Sequence, residues 1–344
     1  MPTRTREIRL KKRPSGLPSE DDFELAETTL DDPGQGEILV RNLWMSVDPY
    51  MRGRMEDRKS YITPFQVGAP LEGSAVGVIE RSAAPHLGEG DLVTHFLGWR
   101  EHALVPAADA TRIDGDVVSP RTYLGPLGVP GLTAYAGLTR IGRPIAGETV
   151  FVSAGSGAVG SMVCQIAKIM GCRVVAAAGS DDKVTWLRDA LGVDHAINYR
   201  ATDDFAAALA DACPDGLDVY FDNVGGEQLD AALAAANDSA RFALCGMIGQ
   251  YNAKRPPPGP SNIFQVVSKR LKLQGFIVID HQDLMSEFTD TMSRWIADGR
   301  IQWRESVVEG LEAAPGAFIG LFSGENFGKM LVELGDTSAD QRRA

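Results

Sequence analysis

A glycine-rich turn is the part of this 344-residue chain whose residue types and spacing point most clearly to chemistry. It follows the apolar run 149–154 and contains Gly155, Gly157, Ala158, Val159 and Gly160. Between a strand and a helix, GxGxxG combines a tight turn, close backbone approach to a pyrophosphate and close packing of helix on strand. Unpaired amides at the start of the helix then face the anion. The turn therefore predicts a dinucleotide site, with a plain β-α turn as the alternative.

The residues after the second predicted strand bear on which dinucleotide binds. An NAD enzyme usually places Asp or Glu there to hold both ribose hydroxyls. Here Gly179 and Ser180 leave room for a 2′-phosphate, and Lys183 in the next helical turn can neutralise it. Asp181 and Asp182 complicate this prediction, although they can instead cap the helix N-terminus, where negative charge is favoured. These residues favour NADP, with a solvated Lys183 as the alternative.

Alternating strand and helix patterns surround this turn from about residue 125 onward. Residues 149–154, 173–178 and 218–222 have the pattern of strands, and 158–170 and 183–191 that of helices. Further strands are predicted at 195–199, 241–246 and 271–278, and further helices at 226–236 and 284–298. Successive β-α units of this length predict a parallel sheet with helices on both faces.

The first 120 residues instead favour short strands separated by turn residues. Candidate strands are 36–41, 71–80 and 91–105, and we expect a small β-rich domain, in the form of a barrel. Residues 301–308 are predicted as a strand and 318–332 as a helix and a terminal strand, which can return to this first domain. The sequence therefore predicts an α/β protein with a second, β-rich domain.

Charge and cysteine content narrow the class of protein. The net charge of -12 disfavours nucleic acid and anionic membranes as partners. The four cysteines form no CxxC pair, which predicts a reducing, cytoplasmic location. Residues 1–13 are basic but have no apolar run after them, so we expect no signal peptide. Residues 336–344 are polar, and we expect them to fray.

Several longer motifs resemble a known family over almost the whole chain, from Arg41 to Val332. They are LWMSVDPYMR at 43–52, GVPGLTAY at 128–135, AGSDDK at 178–183, FDNVGG at 221–226 and GENFGK at 324–329. The chain resembles the zinc-independent medium-chain dehydrogenase/reductases. Within them it is most similar to the leukotriene B4 12-hydroxydehydrogenase / prostaglandin reductase group, which includes plant alkenal double-bond reductases and bacterial curcumin reductase.

The resemblance implies a fold, an assembly and a cofactor path. It implies a GroES-like β-barrel catalytic domain at 1–127, a Rossmann doubly wound dinucleotide-binding domain at 128–305, a return to the catalytic domain at 306–344, and a homodimer. It places the pyrophosphate at 157–160 and the 2′-phosphate at Lys183 and Tyr199. The remaining NADP(H) contacts that it implies are Asn223, Cys245, Gly246, Met247, Ile248, Tyr251, Phe276, Ile277, Val278 and Asn326.

Metal-ligand patterns are missing from the sequence. A catalytic zinc site needs Cys, His and carboxylate ligands, yet no cysteine precedes Cys164, and the histidines show no ligand-like spacing. We interpret His95 and His102 as surface or barrel-edge residues. Zinc-assisted alcohol oxidation is therefore disfavoured, and a carbon–carbon double bond conjugated to a carbonyl fits better as the hydride acceptor. That reaction needs donors aimed at the carbonyl oxygen and a proton for the α-carbon.

Two tyrosines are candidates to assist this reaction. Tyr251 is the first choice because it follows a predicted strand end, where α/β sheets place ligands, with a tyrosine packed on a loop as the alternative. Tyr50 is the second, with a core aromatic as the alternative. Arg52 is either a contact for a carbonyl or acid group or a solvated arginine.

Two further strand ends carry side chains that we assign to the cofactor rather than to catalysis. Asp222 and Asn223 are interpreted as a strand-end pair that binds cofactor rather than an acid/base dyad. Cys245 is interpreted as a small buried residue near the cofactor.

The leading hypothesis is NADPH-dependent reduction of the C=C bond of α,β-unsaturated aldehydes and ketones. Quinone reduction by the same hydride chemistry is the first alternative. A non-catalytic NADPH-binding protein is an alternative of another class.

Overall fold

A computed structural model describes residues 1–115 and 117–335 of the chain. The strands are β1 Thr3–Leu10, β2 Phe23–Leu30, β3 Glu37–Ser46, β4 Ala75–Ser82, β5 Leu92–His95, β6 His102–Pro106, β7 Thr111–Arg112, β8 Thr149–Val152, β9 Arg173–Ala178, β10 His195–Asn198, β11 Leu217–Asp222, β12 Ala236–Leu244, β13 Lys272–Gly275, β14 Glu305–Glu309 and β15 Lys329–Glu333. The helices are α1 Met51–Arg54, α2 Val129–Ala136, α3 Ala158–Ile169, α4 Asp181–Asp189, α5 Phe205–Ala212, α6 Gly226–Ala235, α7 Gln265–Ser268, α8 Met285–Ala297 and α9 Ala314–Gly320.

The chain divides into two compact units. Unit 1 comprises Met1–Gly125, Glu305–Asn326 and the chain from Met330 onward, and unit 2 comprises Pro126–Arg304 and Phe327–Lys329. The expected fraying of residues 336–344 concerns a segment outside the described residues. Within the described part of the chain, no helix is both long and apolar enough to cross a membrane.

Unit 2 is built on a six-stranded parallel sheet with the order β10-β9-β8-β11-β12-β13. Its central strand β8 is buried at every position, as expected for an apolar strand covered on both faces. Helices α2 and α3 pack together, as do α5 and α6. The chain runs outward from β8 in one direction and resumes at β11 on the other side, so the carboxyl ends of β8 and β11 flank a topological switch point. The predicted doubly wound sheet is confirmed.

Unit 1 contains an antiparallel sheet with the order β14-β15-β3-β4-β5-β7, and β6 also pairs with β3. Strands β1 and β2 form a separate antiparallel pair. The core contains Trp99, with Phe23 stacked at 6.1 Å and Phe318 edge-on at 6.2 Å between ring centroids. The prediction of a separate β-rich domain is confirmed.

Some predicted elements have different bounds. The strand expected at 91–105 is two strands, β5 and β6, because the chain turns between them where buried Trp99 has a φ of 62°. The strand expected at 271–278 ends at Gly275, and the one expected at 301–308 begins only at Glu305. In the last two cases the strand-like pattern extends beyond the residues that pair in a sheet.

Candidate cofactor and substrate site

The turn after β8 is packed too tightly for side chains at two of its glycines. A Cβ atom on Gly160 would lie 2.2 Å from the carbonyl oxygen of Ala154, and one on Gly155 would lie 2.8 Å from the Cβ of Ala176. The Gly155 amide donates to the carbonyl of Ala177 at 2.8 Å, which ties the turn to β9. These close approaches between α3, the turn and β9 explain why residues 155 and 160 are glycines.

The left-handed residue of this turn is not one of the motif glycines. Ala154 has a φ of 49°, whereas Gly155, Gly157 and Gly160 are not among the glycines with positive φ. The expectation that a glycine of the GxGxxG motif supplies the tight turn therefore needs correction. Gly155 is required for space against β9, and Ala154 makes the turn.

The first turn of α3 contains backbone amides that have no acceptor within the helix. Gly157 is the N-cap residue, and the first intrahelical bond runs from the Ser161 amide to the Gly157 carbonyl. The amides of 158–160 therefore have no carbonyl acceptor within the helix. Gly328, which also belongs to unit 2, donates its amide to the Ser156 carbonyl at 3.0 Å. The turn is thus held from both sides, with amides placed for an anion.

Helix α4 is capped by the residue that follows Gly179 at the end of β9. The Ser180 hydroxyl is the N-cap acceptor for the Lys183 amide at 3.4 Å. Asp181 instead accepts a hydrogen bond from the Asn198 side chain at 2.7 Å. Ser180 therefore supplies the cap, whereas Asp181 and Asp182 are exposed in the first turn of α4, where negative charge is favoured.

Two polar side chains converge on Gly179. A Cβ atom there would lie 2.8 Å from the Tyr199 hydroxyl and 3.3 Å from the Nε of Arg200. Burial lowers the pKa of the nearby Lys183, and the charge of Arg200 lowers it further. A glycine, a phenol and two cationic side chains thus share one corner of unit 2. Sequence reasoning missed Arg200, although it directly follows Tyr199 after β10.

A buried polar network occupies the switch point at the end of β11. The fully buried Asp222 accepts at one carboxylate oxygen from the Tyr220 hydroxyl at 2.7 Å and from the amides of Val224 at 2.9 Å and Gly225 at 2.8 Å. Its other oxygen, Oδ2, is buried and has no hydrogen-bond partner among the described residues. Burial raises the pKa of Asp222, and these bonds oppose that rise. Asp222 therefore shapes the loop that begins at Asn223.

Asn223 is fixed against the end of β8. Its side-chain amide donates to the Ser153 carbonyl at 2.7 Å, and its backbone amide donates to the Ser153 hydroxyl at 2.7 Å. This pairing crosses the switch point and joins β8 to the β11 loop. The predicted strand-end pair thus lies where an α/β sheet binds ligands, with Asp222 in a supporting position.

A cavity of about 420 Å³ opens at the carboxyl ends of β12 and β13. Its lining residues are Leu244, Cys245, Gly246, Met247, Gly275, Phe276, Ile277 and Asp280. Five of the residues predicted from the resemblance therefore lie together around one space of ligand size. Ile248 and Val278 begin the short 3₁₀ segments Ile248–Gln250 and Val278–Leu284 and are not part of the lining.

Tyr251 lies close to this cavity. Its half-buried hydroxyl accepts a hydrogen bond from the Met247 amide at 3.3 Å, and a Cβ on Gly246 would lie 3.0 Å from the hydroxyl oxygen. Burial, followed by weaker effects from Cys245 and Asp222, raises the pKa of Tyr251. The tyrosine is therefore a neutral phenol at physiological pH, able to donate a hydrogen bond.

The second candidate tyrosine belongs to unit 1. Tyr50 packs against the core, and its buried hydroxyl has no hydrogen-bond partner among the described residues. Burial, and then the charge of Asp48, raise its pKa well above the usual value. Arg52 is buried and not solvated, because its guanidinium donates to the carbonyl of Gly16 at 3.0 Å. Asn326, the last predicted cofactor residue, is half-buried in unit 1.

The histidines considered as possible ligands have structural roles. His95 is buried, not at the surface, and accepts the Leu97 amide at Nδ1, so Nε2 carries the proton that bonds to Asn42 Oδ1 at 2.8 Å. Burial lowers the pKa of His95 to about 3. His102 is half-buried, 3.5 Å from Glu80. Over residues 1–115 and 117–335, no group of three or more His, Cys, Asp or Glu side chains is arranged to hold a metal ion.

Comparison with known proteins agrees with this architecture. Residues 6–113 match the family described as "N-terminal domain of oxidoreductase", and residues 158–297 match "Zinc-binding dehydrogenase". The chain is 42% identical to the NADPH-dependent curcumin reductase of Escherichia coli, with 96% of this chain and 97% of that protein covered. It is also 42% identical to the NADP(+)-dependent 2-alkenal reductase of Nicotiana tabacum, with 95% and 96% covered.

A solved structure extends the likeness to the whole fold. The crystal structure of CurA from Vibrio vulnificus in complex with NADPH superimposes with a TM-score of 0.90 at 42% identity, covering 96% of this chain and 99% of that one. The family predicted from the motifs is confirmed. The chain belongs to the medium-chain dehydrogenase/reductases, in the group of the alkenal and curcumin reductases.

Proposed function

We propose that the protein is an NADPH-dependent reductase of the C=C bond of α,β-unsaturated aldehydes and ketones. The observation that carries this proposal is that backbone amides without helical acceptors and cavity-lining groups follow one edge of the unit 2 sheet, from the turn after β8 to the ends of β12 and β13. Relatives over 40% identical are reductases of curcumin and 2-alkenals. Unit 2 then corresponds to the dinucleotide-binding domain, and unit 1 to the catalytic domain.

The residues present fit NADPH. Because Gly155 and Gly160 have no side chains, the turn can pack closely against β9 and α3. The free amides of the first turn of α3 suit a pyrophosphate. Lys183, Tyr199 and Arg200 suit the 2′-phosphate, because they place positive charge and a hydroxyl beside a residue without a side chain. When bound, NADPH supplies the hydride that adds to the β-carbon of the substrate.

Tyr251 is our candidate for assisting the reaction. A neutral phenol next to the cavity can donate a hydrogen bond to a carbonyl oxygen that gains negative charge. The Met247 amide fixes the orientation of this hydroxyl. Tyr50 is the second candidate, since its orphaned hydroxyl is the kind of buried polar group that a ligand can satisfy.

The test of the function is consumption of NADPH and of NADH against a graded panel of enones, alkenals and quinones, with product identification. We expect saturated aldehydes and ketones and a preference for NADPH. Tyr251→Phe should lower kcat on the order of 10²-fold, the lower range for general acid catalysis. Hydroquinones as the sole products, allylic alcohols, or binding of NADPH without any oxidation would each overturn the proposal.

Cofactor choice has its own test in the affinities for NADPH and NADH, measured by fluorescence. Removing one cation with Lys183→Ala or Arg200→Ala should weaken NADPH binding roughly tenfold and leave NADH binding unchanged. Arg188→Ala is the control, because Arg188 is exposed in α4 and paired with Asp189. Equal losses for both cofactors would mean that these residues only support the fold.

Metal independence is also proposed. His95 is committed to Asn42 and Leu97, so it is not available as a ligand without a rearrangement of unit 1. Prolonged treatment with a chelator, followed by removal of the chelator, should leave enone reduction unchanged. A loss of activity that zinc restores would contradict this.

Assembly and location are proposed as a homodimer in the cytoplasm. Strand β13 ends the six-stranded sheet, and Phe264 and Val267, which precede it in the chain, are 72% and 70% exposed. Light scattering should therefore give the mass of a dimer. The double variant Phe264→Ser, Val267→Ser should give a monomer, whereas the control Val129→Ser, at an exposed valine of α2, should remain a dimer.

The four cysteines are free thiols, which suits a reducing compartment. Fractionation of the source cells tests the cytoplasmic location.

A further inference from the structure

The cavity at the ends of β12 and β13 has a carboxylate at its rim. Among its described lining residues, Asp280 is the one with an ionised side chain, and none is Lys or Arg. Asp280 and Gly275 are exposed, whereas Phe276 is buried, so Asp280 lies on the solvent side of the space. The other side chains that face the space are mostly apolar, with Leu244, Met247 and Ile277 among them.

The backbone of a second acidic residue, Asp222, lies next to the cavity lining. The backbone carbonyl of Asp222 accepts from the amides of Cys245 at 2.9 Å and Gly246 at 3.0 Å, which places Asp222 next to the lining. Burial, and then the charge of Asp222, raise the pKa of the Cys245 thiol to about 12, so the thiol is neutral. Among the lining residues, Asp280 is therefore the one whose side chain brings charge to this cavity.

A substrate that enters this cavity beside the bound cofactor with a carboxylate of its own would meet the like charge of Asp280. The lining offers it no cation, and the low-dielectric walls strengthen the repulsion. A neutral substrate that carries a hydroxyl or amide N–H away from the double bond can instead donate to Asp280. We infer that Asp280 is a specificity-determining residue that favours neutral enones and alkenals, especially those with a distal hydrogen-bond donor, over enones that carry a carboxylate. This inference rests on the proposed reductase function.

The test compares two substrates that differ only at the end distant from the double bond. One is an enone with a terminal carboxylate, and the other is its primary amide, which has almost the same shape but no charge. We expect kcat/KM for the amide to exceed that for the acid by about tenfold, the size of the effect for like charges several ångström apart near a protein surface. Raising the salt concentration should reduce this ratio through screening.

Two variants separate Asp280 from the general negative charge of the protein. Asp280→Asn should bring the ratio close to one, mainly by improving turnover of the acid. Asp283→Asn should leave it unchanged, because Asp283 belongs to the same 3₁₀ segment but lies outside the cavity and pairs with Arg140 at 3.0 Å.

The outcomes distinguish this inference from the proposed function. Equal turnover of acid and amide by the unmodified enzyme, or a preference that persists in Asp280→Asn, overturns the role of Asp280 and leaves the reductase function intact. Failure of the enzyme to reduce the amide or any other enone overturns the function, and the inference with it.

Discussion

Replacing Gly160 by Ala tests the close approach of α3 to the turn after β8. In an unobstructed helix this change would stabilise the fold by about 0.5–1 kcal/mol, because Ala loses less conformational entropy than Gly on folding. Here the new Cβ would lie 2.2 Å from the oxygen of Ala154 and 2.9 Å from its carbonyl carbon. Both are backbone atoms, so no flexible side chain can move aside, and the start of α3 must shift.

The size of the effect follows from these opposing contributions. Overpacking costs about 1–3 kcal/mol, and subtracting the helix gain leaves a net loss of at most about 2.5 kcal/mol, with a midpoint near 1.3 kcal/mol. For a unit of this size, the midpoint corresponds to a Tm lowered by roughly 3–5 °C. Because the shift also moves the amides of residues 158–160, NADPH binding should weaken on the order of tenfold.

The assay is thermal unfolding with and without NADPH, together with fluorescence titration of NADPH. Gly53→Ala is the matched control, since it is also a helical glycine and its new Cβ would meet nothing within 4 Å. That variant should keep or raise the Tm and bind NADPH normally. A Gly160→Ala protein with unchanged Tm and unchanged affinity would refute the close approach and its role in anion binding.

Three further predictions concern buried contacts, all measured by urea unfolding. Asp222→Ala should cost roughly 3 kcal/mol because it leaves buried donors unpaired, and Asp222→Asn should cost much less because it keeps an acceptor. His95 has a folded pKa of about 3, below its ordinary 6.5, so protonation favours the unfolded chain. Stability should therefore fall as pH drops below 6.5, by up to about 1.4 kcal/mol per pH unit from this group, and His95→Gln should flatten that slope. Gly155→Ala should destabilise the protein, and adding Ala176→Gly should recover part of the loss, with a coupling of about 0.5–3 kcal/mol.

The sequence carried enough information for the doubly wound sheet because its signals are local. The buried strand β8, the glycines after it and the helix that follows are contiguous, so their pattern alone predicts a β-α unit. The end of β9 was equally informative, because Gly179 and Lys183 are close in sequence as well as in space.

The missed features depend on contacts between distant segments. Trp99 breaks a run of strand-like residues because it enters the core beside Phe23 and Phe318, which no local pattern indicates. Arg52 resembles a solvated arginine until its partner, the carbonyl of Gly16, is known. The proximity of Arg200 to Lys183 depends likewise on the pairing of β9 with β10.

Charge is distributed unevenly along the carboxyl edge of the unit 2 sheet, and on the proposed binding path this favours one direction for the cofactor. Lys183 and Arg200 lie near the ends of β9 and β10, whereas Asp222 and Asp280 lie near the ends of β11 and β13. A dinucleotide bound in the reverse direction would bring its 2′-phosphate towards carboxyl groups and lose its cations. On the proposed path, only one direction leaves the mostly apolar cavity, with Asp280 at its rim, for the reacting end. In this proposal, the carboxyl groups that disfavour a misplaced phosphate also disfavour an anionic substrate, so cofactor orientation and substrate choice share one electrostatic origin.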